Sequence, residues 1–167
     1  VLGNTVESSS AVLNSTGNVS GSLYTSINMF PHVTGLSISA SHTSALIDLD
    51  GANNFTLDGR VNRSGSVADL ILNHTGTDNG SINVRFINSA NANKVKYCNV
   101  QGACPSSGAG VIFFSTATTG NGNDNNTIDS CIITNSGARP LNCIASDGSS
   151  GFDNSGNTIS NNKIYNN

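Results

Sequence analysis

The sequence predicts an all-β chain wound as a right-handed parallel β-helix of about four to five coils, with two to three short strands per coil. Three observations carry this expectation. Asn, Ser, Thr and Gly make up 83 of the 167 residues, a composition of bends rather than of helix faces. Val and Ile together number 24, whereas Glu, Gln and Met occur once each, so the apolar residues suit strands and the usual helix formers are scarce. Short apolar segments also recur at a period of roughly 30 residues, the mark of a solenoid.

The elements follow in chain order. Residues 1–44 form a less regular part, with strands expected at 24–29 and 36–38, and residues 45–167 carry clear repeats. The whole of 1–167 reads as one β-helix segment of a longer chain. One strand family comprises 46–49, 84–87, 111–114 and 142–145, ending in a column of Leu49, Ile87, Phe114 and Ala145. This register turns Phe86 and Phe113 outward, where a loop or the N-terminal segment covers them or they form a binding patch. Arg85 strains it, because Arg85 shares the parity of Ile87. A second family comprises 53–59, 96–102, 129–135 and 160–166. One of its columns holds Phe55, Cys98, Cys131 and Asn162; the other holds Leu57, Val100, Ile133 and Ile164. A third strand is expected at 70–72.

Each such strand turns only about two side chains inward, so one repeat cannot bury a core by itself. Stacking places like residues above one another at about 4.8 Å and builds continuous apolar columns. Asn93, Asn126 and Asn157 recur just before a strand and are expected to stack as a hydrogen-bonded ladder. A β-sandwich would instead give short hairpin turns. Cys98 and Cys131 share a column one repeat apart, close enough for a disulfide, although parallel Cβ vectors suit a stacked thiol pair equally. Cys104 falls in a loop and Cys143 in a strand, with no pairing legible. The cysteine spacing contains no zinc motif.

The run Leu46-Ile47-Asp48-Leu49-Asp50-Gly51-Ala52-Asn53-Asn54-Phe55-Thr56-Leu57-Asp58-Gly59 resembles a recurrent module of very large secreted and surface proteins of Bacteroidetes. So do Arg85-Phe86-Ile87-Asn88-Ser89-Ala90, Ile112-Phe113-Phe114-Ser115-Thr116 and Asn157-Thr158-Ile159-Ser160-Asn161-Asn162. The resemblance spans about 24–167. It implies right-handed parallel β-helix repeats, often exported by the type IX route, and a place outside the cell or on its surface. It implies display, adhesion or a stalk, and brings no catalytic residues with it.

The function classes narrow accordingly. A net charge of −3 with 17 charged residues is no nucleic-acid footprint. No apolar run approaches the roughly 20 residues of a spanning helix, so membrane insertion is not expected. The favoured reading is a structural or adhesive module and not an enzyme, with neighbouring repeats or further copies of itself end to end as partners, and surface glycans as a further class. The alternative is a carbohydrate-binding or polysaccharide-degrading β-helix. For that, Asp48 and Asp50 would lie about 7 Å apart on one side of a strand, a separation suited to an inverting carboxylate pair, with Arg85 nearby. No cofactor is expected; weak calcium binding at residues 120–125 is the one alternative. His32, His42 and His74 share no column and read as loop residues. Asn-x-Ser/Thr occurs at Asn14, Asn18, Asn54, Asn62, Asn73, Asn79 and Asn125, as chance allows in so Asn-rich a chain.

Overall fold

A computed structural model describes residues 1–17, 23–118 and 120–165. The Asn18 sequon and the last residues of the final repeat lie outside the described residues. Sixteen strands follow one another: β1 (Thr5–Glu7), β2 (Ala11–Asn14), β3 (Ile27–Met29), β4 (Ser37–Ala40), β5 (Ile47–Asp50), β6 (Phe55–Asp58), β7 (Leu70–His74) and β8 (Val84–Ile87). Then come β9 (Lys94–Lys96), β10 (Cys98–Gly102), β11 (Ile112–Phe114), β12 (Thr127–Asp129), β13 (Ile132–Asn135), β14 (Ile144–Ser146), β15 (Thr158–Ser160) and β16 (Lys163–Ile164). Every third strand pairs, always in parallel. The first sheet runs β1-β4-β7-β10-β13-β16, the second β2-β5-β8-β11-β14 and the third β3-β6-β9-β12-β15. The chain is thus a parallel β-helix of about five coils with three strands per coil. Among the described residues the only helical element is a 3-10 turn at Val61–Arg63.

The register explains the core. In the first sheet Ile38, Leu72, Val100 and Ile133 stack inward, with Ile164 continuing the column at the end. In the second, Leu49, Phe86 and Phe114 stack, the two rings 4.7 Å apart and 17° from parallel. In the third, Leu57 lies under Val95, Ile128 and Ile159. The internal members are fully buried in one continuous core. Burying a side chain of this size stabilises by about 1.5–3 kcal/mol, and the columns multiply that gain coil after coil.

Three expectations are corrected by this register. The first is the column of Leu49, Ile87, Phe114 and Ala145: Ala145 pairs with Phe113 and not with Phe114. Ile87 does not join Leu49 and Phe114. It pairs with Asp50 and is half-buried, and the buried residue is Phe86. The reason is Arg85: its guanidinium reaches Asp48 on the outer face, which fixes the parity of β8. Phe55 and Leu57 belong to the third sheet, whereas Cys98, Val100, Ile133 and Ile164 belong to the first and Cys131 directly precedes β13. The residues that stack below Cys98 and Val100 are Leu70 and Leu72. Phe113 does face outward, yet it is buried in a small satellite cluster with Ala45, Ile82, Cys104 and Ala109.

The bends are built by position. Where the second sheet turns into the third, Asn54, Ala92 and Asn125 adopt left-handed φ of 57°, 56° and 56°. Where the third turns into the first, Tyr97, Ser130 and Asn161 do so at 51°, 55° and 56°. Each costs strain outside Gly, offset by the hydrogen bonds that the sharp corner permits. Gly59 occupies the second of these corners one coil earlier, where an added Cβ would sit 1.9 Å from the Tyr97 carbonyl oxygen.

The expected Asn ladder is present. The Phe55 N–H donates to Asn93 Oδ1 at 3.0 Å, the Asn93 N–H to Asn126 Oδ1 at 2.9 Å, and the Asn126 N–H to Asn157 Oδ1 at 2.8 Å. Two further ladders were not foreseen. In one, Ala90 N–H donates to Asn123 Oδ1 and Asn123 N–H to Asn154 Oδ1. The other lies outside them and runs in the opposite direction. Asn91 N–H donates to Asn53 Oδ1, Asp124 N–H to Asn91 Oδ1, and Ser155 N–H to Asp124 Oδ1. Together they satisfy main-chain groups at a bend, which strand pairing cannot reach.

Candidate functional site

The lateral face of the second sheet carries the residues of the carbohydrate reading. Asp48 and Asp50 stand on β5 and Arg85 on β8, the next strand. Arg85 grips Asp48 through both carboxylate oxygens, Nε to Oδ1 at 2.9 Å and Nη2 to Oδ2 at 2.5 Å. Hydrogen bonding to Asp48 leads the causes that raise the Arg85 pKa, so the guanidinium stays protonated. Asp48 is 6% exposed, and its charge is matched within the protein. Asp50 makes no ion pair with Arg85, although its charge adds to the rise of the Arg85 pKa, and it accepts a hydrogen bond from Asn88 Nδ2 at 2.6 Å. The geometry gives one neutralised carboxylate and one exposed to a cleft. It does not give two carboxylates flanking a common space, as glycoside hydrolysis uses.

That cleft runs along the bend between the second and third sheets and has a volume of about 640 Å³. Asp50, Asn53, Asn88, Asn91 and Asn121 line it, with polar groups already paired along the axis. The loop expected to hold calcium borders it. There Asp124 Oδ1 accepts from Ser155 N–H, and Asn123 stands in a ladder, so these oxygens serve the fold. Among the described residues no group of three or more His, Cys, Asp or Glu could hold a metal ion.

A second charged cluster was missed in the sequence. Asp58, 1% exposed, accepts from Arg60 Nε at 2.9 Å and Nη2 at 2.8 Å, and lies 3.2 Å from Lys96 Nζ. Burial pulls the Asp58 pKa upward, but the bonds from Arg60 and Lys96 outweigh it and leave the carboxyl below its usual value. Arg60 in turn lies 4.3 Å from the centre of the Tyr97 ring. The cluster bridges neighbouring coils.

The histidines also depart from the loop reading. His74 ends β7 and is fully buried. Its Nε2 lies 2.9 Å from the Ser44 carbonyl and its Nδ1 accepts from Gly76 N–H, which defines the neutral Nε2–H tautomer. The His42 ring packs edge-on at 5.1 Å. Burial lowers the His74 pKa. No column links the two rings, so only the coil register could have brought them together.

Cys98 and Cys131 are buried free thiols, not a disulfide, as are Cys104 and Cys143. The neighbouring Cys131 sulfur and burial push the Cys98 thiol up. In-register parallel strands hold the two Cβ atoms side by side, the arrangement that suits stacked thiols.

The two ends of the helix form the remaining distinctive surface. At the first end Leu2, Val6 and Leu23 are exposed, and an open apolar hollow of about 1040 Å³ reaches down to Ile38, Leu49 and Phe55. At the last end Ile159, Ile164 and Tyr165 are about half exposed. There Ile159 stacks on buried Ile128 and Ile164 on buried Ile133. The outermost strands β1, β2 and β3 at one end, and β14, β15 and β16 at the other, each pair on one side only.

Fold and surface define the class, a parallel β-solenoid with a lateral face of paired polar groups. No family model, curated protein or solved structure matches the chain.

Proposed function

We propose that this chain is a structural and adhesive β-solenoid module of an extracellular or cell-surface bacterial protein, continued end to end by further coils or further copies. One observation carries the reading: three parallel sheets keep one strand register over about five coils, so each coil offers the next the same pairing surface that it receives from the one before. A stack of this kind is extended by a further coil in the same register. The lateral groups support it too, since Arg85, Asp48, Asp58 and the Asn ladders are spent on holding coil to coil. The extracellular placement rests on the polar composition and the resemblance noted above.

Sedimentation over a concentration series, with electron microscopy of the same samples, tests the reading. Growth into particles elongated along one axis is the expected result. A chain that stays monomeric at every concentration, with both ends exchanging amide hydrogens freely, would refute self-assembly. The polar cleft beside Asp50 is the place for adhesive contact with a surface glycan. A glycan array on the wild type and on Asp50→Ala tests this, and release of reducing sugar would redirect the reading to an enzyme.

A further inference from the structure

Cys98 and Cys131 share a geometry that filling the core does not require. Register continues back from the Asn99–Ile132 pair and sets Cys131 on Cys98, with Leu70 below Cys98. The slot takes a leucine one coil earlier, yet two successive coils fill it with cysteine. The one-residue corners orient both side chains. Tyr97 and Ser130, at left-handed φ of 51° and 55°, immediately precede the two cysteines. Each Sγ then lies 3.4 Å from the carbonyl oxygen two residues back, Cys98 on Lys96 and Cys131 on Asp129. Like contacts in register give like orientations, so the sulfurs stack along the axis at about the strand spacing of 4.8 Å. A disulfide needs its sulfurs about 2.05 Å apart. Two metal–thiolate bonds of about 2.3 Å laid end to end span about 4.6 Å. The stack fits the second span and not the first.

We infer that Cys98 and Cys131 form a linear two-coordinate site for a soft metal ion of the copper(I), silver(I) and mercury(II) class. Both residues are buried in the continuous apolar core. Hard cations keep oxygen ligands and water, which this core denies them, whereas thiolate sulfur suits soft ions. Zinc in a structural site takes four ligands. Among the described residues no group of three or more His, Cys, Asp or Glu is assembled, so the pair stands as two ligands and no more. The hydrogen bond from Cys98 leads the causes that lower the Cys131 pKa, so Cys131 gives up its proton first. A monovalent ion replaces that one proton, Cys98 stays a thiol, and the site remains neutral. Mercury(II) replaces the protons of both thiols and is again neutral. Neither case leaves a net charge in the core, where it would be costly. Loading accompanies folding or the opening of a coil, because both sulfurs lie inside the stack.

The test refolds the full chain without oxygen, with and without silver(I), a redox-stable probe of this class. Excess methionine then strips loosely held ion. Elemental analysis is expected to find roughly one silver per chain, and the urea midpoint to rise on loading. X-ray absorption at the silver edge should show two sulfur neighbours and no nitrogen or oxygen. Cys98→Ala and Cys131→Ala should each retain less silver by more than about tenfold. Cys104→Ala and Cys143→Ala, which remove the other two free thiols, should retain it as the wild type does. Absence of retained silver in the wild type would overturn the inference. So would silver that persists in both the Cys98 and Cys131 variants, or a shell of three or more donors around the ion. The absorption measurement needs only the wild type, so it decides the coordination even should a variant fail to fold.

Discussion

Replacing Asn126 by Ala removes one side chain that works in three directions. Its Oδ1 accepts from Asn93 N–H at 2.9 Å and from Asn93 Nδ2 at 3.0 Å, and its Nδ2 donates to the Ala90 carbonyl at 2.8 Å. Asn93 Nδ2 keeps a second acceptor in Ala52 O. Two buried main-chain groups therefore lose their partners, the Asn93 N–H and the Ala90 carbonyl. At about 1–3 kcal/mol for each, the expected cost is roughly 2–6 kcal/mol. Water entering the vacated space would bring the loss toward the lower figure. Urea unfolding gives the overall change. Native-state hydrogen exchange at Phe55, Asn93 and Asn126 shows where it falls, which matters in a stacked array that can open coil by coil. Asn28, exposed on β3, supplies the control. An Asn126→Ala loss within about 0.5 kcal/mol of Asn28→Ala would refute the view that the ladder holds this bend. Asn126→Asp sharpens the test. It keeps the acceptor and replaces the donor with charge facing the Ala90 carbonyl, so it should be no milder than Ala.

Three further predictions follow from the same structure. Phe86→Ala should cost about 3–5 kcal/mol in urea unfolding and Ile87→Ala less than about 1.5 kcal/mol, and the reverse order would mean the register of β8 is shifted by one residue. His74 is buried neutral with its pKa below the ordinary 6.5. The unfolded chain therefore binds the proton more readily, and stability should be full above about pH 6.5 and fall as the pH drops below it. A His74→Gln variant with the same slope between about pH 6.5 and 5 would contradict that assignment. Cys98 and Cys131 should resist an aromatic disulfide reagent in the native state and react at the rate of unfolding; prompt labelling would show that the columns around them open.

Much of the fold was legible because stacking repeats the same demand at the same place. Val100, Ile133 and Ile164 form one column in both sequence and structure, and so do the ladder Asn residues. The errors arose where the repeat unit changes length. In the second coil β6 is followed by the 3-10 turn and a long excursion before β7, whereas in the third coil only Tyr97 separates β9 from β10. An alignment without gaps therefore laid β6 over β10 and put Phe55 and Leu57 in the wrong column. The Phe86–Ile87 pair was ambiguous because two adjacent apolar residues satisfy either parity, and only the bond from Arg85 to Asp48 decides between them. For the candidate site, the nearness of Asp48 and Arg85 was readable. Their mutual neutralisation was not, since it depends on side-chain reach across coils. The Asp58 cluster and the His42–His74 contact carry no periodic signal at all.

The one-residue corner at Tyr97, with its counterparts at Ser130 and Asn161, also bears on how such a chain can change over time. One coil earlier the same corner, at Gly59, opens into an excursion through the 3-10 turn, and the chain returns to register at Leu70. The bend between the first and second sheets also varies, from the short passage after β1 to the longer ones after β7 and β10. Length is thus free to change at the bends while the strands between them keep their columns. A foreign loop grafted between His74 and Val84, or between Gly102 and Ile112, would be carried on the outside while the strands kept their spacing.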